Sequence, residues 1–169
     1  EAHGPGAVAE ARWMGDEVRP QDCEGRTDFR GDLTVTIDGE HARDFDDAVS
    51  VVRRGAGGYV LSVHIADVAH YVEAGSALDE EALDRGTSVY FPDRAVHMFP
   101  ADLATGLCSL KPGVDRLVQS CVIDIDAAGE KSTTIRYQRE RGRRWVKEGK
   151  GELCAERAFL EFAPDRGTP

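Results

Sequence analysis

Four aspartates, Asp38, Asp44, Asp46 and Asp47, fall within ten positions of the stretch TVTIDGEHARDFDDAV at residues 34–49. Two carboxylates about 4 Å apart repel by roughly 4 kcal/mol at an effective dielectric near 20. Such a crowd raises its own pKa values and works against the fold. A divalent cation reverses the sign of that interaction. Hard cations such as Mg²⁺ take carboxylate oxygens and keep positions open for water and phosphate. The chemistry open to the cluster is therefore metal-assisted attack of water on a phosphodiester, one aspartate orienting or deprotonating the water while others hold metal. The competing reading is a solvated acidic loop. Apolar, strand-like flanks on both sides and Gly39 inside the loop weigh against it. A calcium loop of the EF-hand type is disfavoured, because the DxDxDG order and closing Glu are absent from Asp38 onward.

Spacing sets how the four must be presented. If Asp44–Asp47 enters a strand, Asp44 and Asp46 share one face, and Asp47 points the other way unless the chain kinks. Gly39 frees the intervening loop to bring Asp38 back, so that Asp38 and Asp47 flank the site from two strands. Other chemically able residues have plainer readings. His41 reads as an exposed loop residue, and His64 and His70, flanking IADVA, as structural. Lys111, Arg116 and Arg85 are candidates for phosphate contact, but each taken singly reads as a surface residue. Asp124 and Asp126 in IDIDAAGEK read as a strand end followed by a hairpin turn.

The elements that position the cluster follow from pattern. Gly6–Trp13 suits a short helix. Thr34–Ile37, Ala48–Arg53 and Tyr59–Ile65 read as strands, the last two joined as a hairpin through GAGG. ADVAHYV suits a helical turn. Ser76 is placed to cap a helix over Leu78–Arg85 that Gly86 stops. Ser88–Phe91 is short and extended, and Asp102–Thr105 suits one helical turn. Leu117–Asp126 and Ser132–Tyr137 form a second hairpin around AAGE. Ala155–Phe162 is expected as a short helix ended by Pro164. Strands dominate with helices between them, which predicts an α+β fold with a largely antiparallel sheet.

At 169 residues the chain is long enough for one domain with a real core. Apolar residues make up 41% and charged residues 31%, as in soluble globular proteins. No apolar run approaches the roughly 20 residues of a membrane span, and the first residues lack the basic-then-apolar order of a signal peptide. The four cysteines, Cys23, Cys108, Cys121 and Cys154, form no CxxC pair and suit thiols in a reducing compartment, hence the cytoplasm. The net charge of −10 is uneven. Residues 130–169 hold 10 Lys/Arg against 7 Asp/Glu, while residues 1–129 hold 11 against 24. An acidic body disfavours a phosphate-rich partner unless metal ions or other domains supply positive charge.

The wider strings carry a family resemblance. GRTDFRG, TIDGEHARDFDDAVSV, VHIADVAHYVEAGSALDEEALDRGTSVYFPDRAVHMFP and LCSLKPGVDRLVQSCVIDIDAAGE resemble, in order, the catalytic (RNB) domain of the ribonuclease II/ribonuclease R family. The resemblance runs from about residue 25 to 130. It divides the chain into a lead-in segment (1–24), a partial RNB catalytic domain (25–137) and a divergent basic tail, weakly ordered (138–169). It implies a Mg²⁺-dependent 3′→5′ exoribonuclease that acts on single-stranded RNA and releases nucleoside 5′-monophosphates. The family's four essential aspartates fall on Asp38, Asp44, Asp46 and Asp47. Asp38 and Asp47 resemble direct metal ligands, Asp46 the residue most needed for hydrolysis, and Asp44 a supporting ligand. Tyr90, in SVYFP, resembles the tyrosine that stacks on a nucleotide near the 3′ end. His97 stands where proline is usual, read as a local loop change, and His41 where an acidic residue is common. The resemblance also implies a longer domain, with an arginine and a glutamate near the scissile phosphate that have no match here, and flanking OB-type domains. It ends abruptly after Tyr137, as a truncated or frame-shifted reading would. A non-catalytic RNA-binding remnant of the same family is the alternative function.

Overall fold

In the computed structural model, residues 2–55, 57–132 and 155–161 are described. A short helix, α1 (Pro5–Trp13), leads through a 3₁₀ turn at Pro20–Cys23 to strands β1 (Thr27–Asp28), β2 (Thr34–Val35), β3 (Asp47–Arg53) and β4 (Tyr59–Ala66). Helices α2 (Val68–Tyr71) and α3 (Ala77–Arg85) follow, then a two-stranded hairpin, β5 (Val89–Tyr90) and β6 (Ala95–Val96). A π-helical turn at Leu103–Leu107 precedes β7 (Asp115–Ile125), β8 (Lys131–Ser132) and β9 (Ala155–Glu161). The main sheet runs β1-β9-β7-β4-β3-β2, with β8 also on β7. All its pairings are antiparallel except β1 with β9. The α+β expectation is thus met.

The expected hairpins form. Residues β3 and β4 pair from Asp47↔Ile65 to Arg53↔Tyr59, and Gly57 and Gly58 take φ of 88° and 92° in the turn. Gly58 is required twice over, because a Cβ there would lie 2.3 Å from the Ile125 carbonyl oxygen. On β7 and β8, Asp124 pairs with Ser132 across a turn in which Asp126 Oδ1 accepts from the Ala128 and Glu130 N–H groups, both at 2.9 Å. Asp124 and Asp126 are therefore strand and turn residues, as read. The rest of the expected strand to Tyr137 lies outside the described residues, as does most of the basic tail.

Helix α3 begins where Ser76 accepts from Asp79 N–H and ends at Gly86 with φ 71°, the left-handed cap that glycine favours. Glu10 of α1 accepts from the Ala77 and Leu78 N–H groups at 3.0 and 2.9 Å, so one helix satisfies the open end of the other. Ala7 and Ala11, one turn apart and buried, leave room for that approach. The core gathers Leu78, Leu103, Leu107, Leu110, Leu117 and Val118, each at most 1% exposed, against the inner face of the sheet.

Residues 155–161 correct the expected helix: they form a strand hydrogen-bonded along β7 from Ala155↔Cys121 to Glu161↔Asp115. Helix propensity over so few residues is a weak force. The open donors and acceptors along β7 offer a full ladder, and an unpaired edge is what a sheet most readily fills. Arg116 departs from its surface reading too. It is 5% exposed, and its Nε donates to the Ser109 carbonyl at 2.9 Å. No helix among the described residues is long and apolar enough to cross a membrane.

Candidate metal and nucleotide site

The aspartate segment is built around one apolar residue. Phe45 packs on the hydrophobic core, and Ala48 is 1% exposed on the inner face of β3. Strict alternation does not allow both to face inward. The chain breaks the alternation at Asp46 and Asp47, and both stand exposed. Asp47 lies near enough for its charge to act on Asp46. Asp47 is the first residue of β3, while Asp38 lies in the loop after β2 rather than in a strand. β2 pairs with β3 as Thr34↔Ser50 and Val35↔Val49, and the same register continued past its end runs Asp38 toward Asp46. The intervening loop closes through Ala42 N–H to the Gly39 carbonyl at 2.9 Å. A Cβ on Gly39 would meet nothing within 4 Å, so the turn does not depend on glycine there.

Main-chain bonds hold the segment from two sides. On one side, Ser109 Oγ donates to the Arg43 carbonyl at 2.7 Å and accepts from Phe45 N–H at 3.2 Å. Leu110 N–H donates to the Phe45 carbonyl at 2.9 Å. On the other, Ala66 N–H, at the end of β4, donates to the Asp46 carbonyl at 2.9 Å. β4 is itself fixed just beyond this point. Asp67 accepts from buried Arg26 Nη2 at 2.9 Å and from Gln119 Nε2 at 2.9 Å.

Four like charges lie near enough to act on one another there. Loss of surrounding water is the first cause that pushes the Asp46 carboxyl above the usual carboxylate range, followed by the charges of Asp44, Asp47 and Asp38, with His97 opposing. Asp44 is the best covered of the four in contacts. It accepts a hydrogen bond from the Tyr90 hydroxyl, and His97 Nδ1 lies 3.6 Å from its Oδ2. The Tyr90 and His97 rings meet nearly edge to face, 6.3 Å between centroids at 83°. The bond to Asp44 is the main reason the Tyr90 phenol is pushed up to about 12. Tyr90 is 61% exposed, so its ring is open to a ligand.

The donor set of carboxylate oxygens fits a hard divalent cation, which would relieve the part of the Asp46 shift that comes, after lost water, from Asp44, Asp47 and Asp38. Among the described residues, no three Asp, Glu, His or Cys side chains converge closely enough to hold a metal ion as they stand. Other expectations resolve outside the site. His64 is wholly buried with Nδ1 2.7 Å from Ser120 Oγ, and His70 lies 3.3 Å from Arg26 Nη2, so both are structural. Arg85 is bonded to Glu81 at 2.8 Å. Lys111 is half-buried, His41 is exposed, and Cys23, Cys108 and Cys121 are free thiols. His97 and Ser109 are the site residues that local spacing missed. His97 is separated from Asp44 by 53 positions and Ser109 from Arg43 by 66. Only the longer string AVHMFP and the LCSL motif marked their surroundings.

The chain is similar to known proteins in both sequence and fold. The chain is 51% identical over 130 residues to Ribonuclease R of Thermotoga maritima, covering 77% of this chain and 18% of that protein. Its fold is similar to that of Mycoplasma genitalium RNase R in complex with double-stranded RNA, with TM-score 0.74 and 29% identity. That match covers 96% of this chain and 26% of the other. Yeast Ssd1, a pseudonuclease, shares the fold with TM-score 0.66 at 21% identity, over 86% of this chain and 16% of that one. The chain thus spans well under a third of each. The RNB domain model matches residues 26–142, from the arginine that grips Asp67 past the end of β8, and the chain belongs to the RNB domain family.

Proposed function

We propose that this chain carries the metal-binding part of a Mg²⁺-dependent 3′→5′ exoribonuclease that hydrolyses single-stranded RNA to nucleoside 5′-monophosphates in the cytoplasm. The observation that carries the reading is the break in alternation at Asp46–Asp47. Around it, four aspartates share a segment whose main chain is held from two sides, and lost water, followed by the charges of Asp44, Asp47 and Asp38, pushes Asp46 up. In this reading Asp38 and Asp47 hold Mg²⁺ directly and Asp44 supports it. The bound cation supplies charge neutralisation at the phosphodiester and a more acidic water. Asp46, whose carboxyl is pushed above the usual carboxylate range first by lost water and then by the charges around it, orients the water and takes its proton. Tyr90 offers an exposed ring to the terminal base, a contact indifferent to sequence because every base has a π-face. The free thiols of Cys23, Cys108 and Cys121, the cysteines among the described residues, are in keeping with a reducing compartment.

The test is incubation of the chain with 3′-labelled single-stranded RNA and Mg²⁺, beside Asp46→Asn. Mg²⁺-dependent release of labelled mononucleotide that disappears in the variant is the expected result, with a slow rate. RNA binding without release identifies the non-catalytic remnant instead. Absence of both overturns the reading for this chain.

A further inference from the structure

A serine hydroxyl has one donor and two acceptor sites, and Ser109 spends them on the two residues that bracket Asp44. Its Oγ donates to the Arg43 carbonyl at 2.7 Å and accepts from Phe45 N–H at 3.2 Å. Ser109 is wholly buried, so water does not compete for these bonds. Its own main chain is fixed from behind, where the buried Arg116 guanidinium donates to the Ser109 carbonyl at 2.9 Å. Leu110 N–H adds a third bond, to the Phe45 carbonyl at 2.9 Å. The two residues next to Asp44 are therefore tied to one point of the core, while the carboxylates around Asp46 push apart.

We propose that Ser109 is a positioning residue: its hydroxyl fixes the backbone on both sides of Asp44 and so keeps that carboxylate near Asp46, from where a cation can gather the two. This rests on the metal reading above. Removing the hydroxyl leaves the Phe45 N–H and the Arg43 carbonyl without that partner, and the segment yields to the repulsion it carries. Outer contacts of this kind orient ligands without touching the metal.

The test uses Mn²⁺ as the probe and the electron paramagnetic resonance signal of free Mn²⁺ as the readout, so that it does not depend on RNA hydrolysis. Wild type, Ser109→Ala and Leu78→Ala are titrated side by side. Leu78→Ala opens a core position on α3 and controls for general loss of stability. Ser109→Ala is expected to bind Mn²⁺ about tenfold more weakly, while Leu78→Ala stays within about twofold of wild type. Ser109→Cys, which keeps most of the volume with a weaker donor, is expected to fall between, and serves alone if Ser109→Ala does not fold. Wild-type affinity in the Ser109 variants, or an equal loss in Leu78→Ala, overturns the positioning role. No Mn²⁺ binding by folded wild type instead overturns the metal reading, and the proposal with it.

Discussion

The Tyr90 hydroxyl donates a hydrogen bond to the Asp44 carboxylate, joining the β5–β6 hairpin to the acidic segment across 46 positions of chain. The ionised phenol would place a second negative charge on that contact, which is why the hydroxyl keeps its proton up to about pH 12. Asp44→Asn removes the charge and nearly keeps the shape. The Tyr90 phenol is then expected to titrate lower, toward the ordinary value of about 10. NMR of ¹³Cζ-labelled tyrosine follows it directly, and an unchanged midpoint would refute the assigned cause.

Asp46→Asn should change the response to metal more than the metal-free fold. Neutralising one member of the crowd removes repulsion, so the variant without Mg²⁺ is expected to melt at or slightly above wild type. A ligand bound at a hundred times its Kd stabilises by about 2.7 kcal/mol. Wild type should therefore gain several degrees on saturation with Mg²⁺, and the variant clearly less. Equal gains in a thermal melt would show that the cation binds elsewhere.

His64 makes the fold acid-sensitive. Burial pushes its imidazole down to about 4 from an ordinary 6.5, so below 6.5 the unfolded chain takes up a proton that the folded chain refuses. The contribution is complete above about pH 6.5 and is lost progressively as pH falls toward 4. It amounts to on the order of 3 kcal/mol. Urea midpoints across that range should drop in wild type and drop less in His64→Leu. Parallel slopes would assign the acid sensitivity to the carboxylates instead.

The Arg26–Asp67 pair is almost sealed, with side chains 3% and 0% exposed and 2.9 Å between Nη2 and Oδ2. Breaking such a pair by removing one partner strands the other charge, and Arg26→Met is expected to cost about 3–5 kcal/mol in denaturant unfolding. Because Asp67 follows Ala66, whose N–H holds the Asp46 carbonyl, the same variant should also weaken Mg²⁺ binding. A loss under about 1 kcal/mol would mean the stranded carboxylate finds water or another partner.

Legibility followed the range of the interaction. Ser76 and Gly86 announced α3 because caps act within one turn, and the hairpins announced themselves through GAGG and AAGE. The aspartates were legible because apolar flanks are adjacent in sequence. The break at Asp46–Asp47 was not, since it depends on Phe45 and Ala48 both reaching one core. Ser109, His97 and the burial of Arg116 arise from contacts between distant segments, which local pattern does not encode. The strand at Ala155–Glu161 was misread for the same reason: its conformation is set by the edge of β7, not by its own residues.

The bonds that reach the main chain of the acidic segment end on the Arg43 carbonyl, the Phe45 N–H and carbonyl and the Asp46 carbonyl, and of its carboxylates Asp44 takes the Tyr90 hydroxyl. Apart from that one contact, the frame does not depend on what its side chains carry. Substitution can strip the aspartates from it and leave the same contour, so architecture and chemistry are inherited separately.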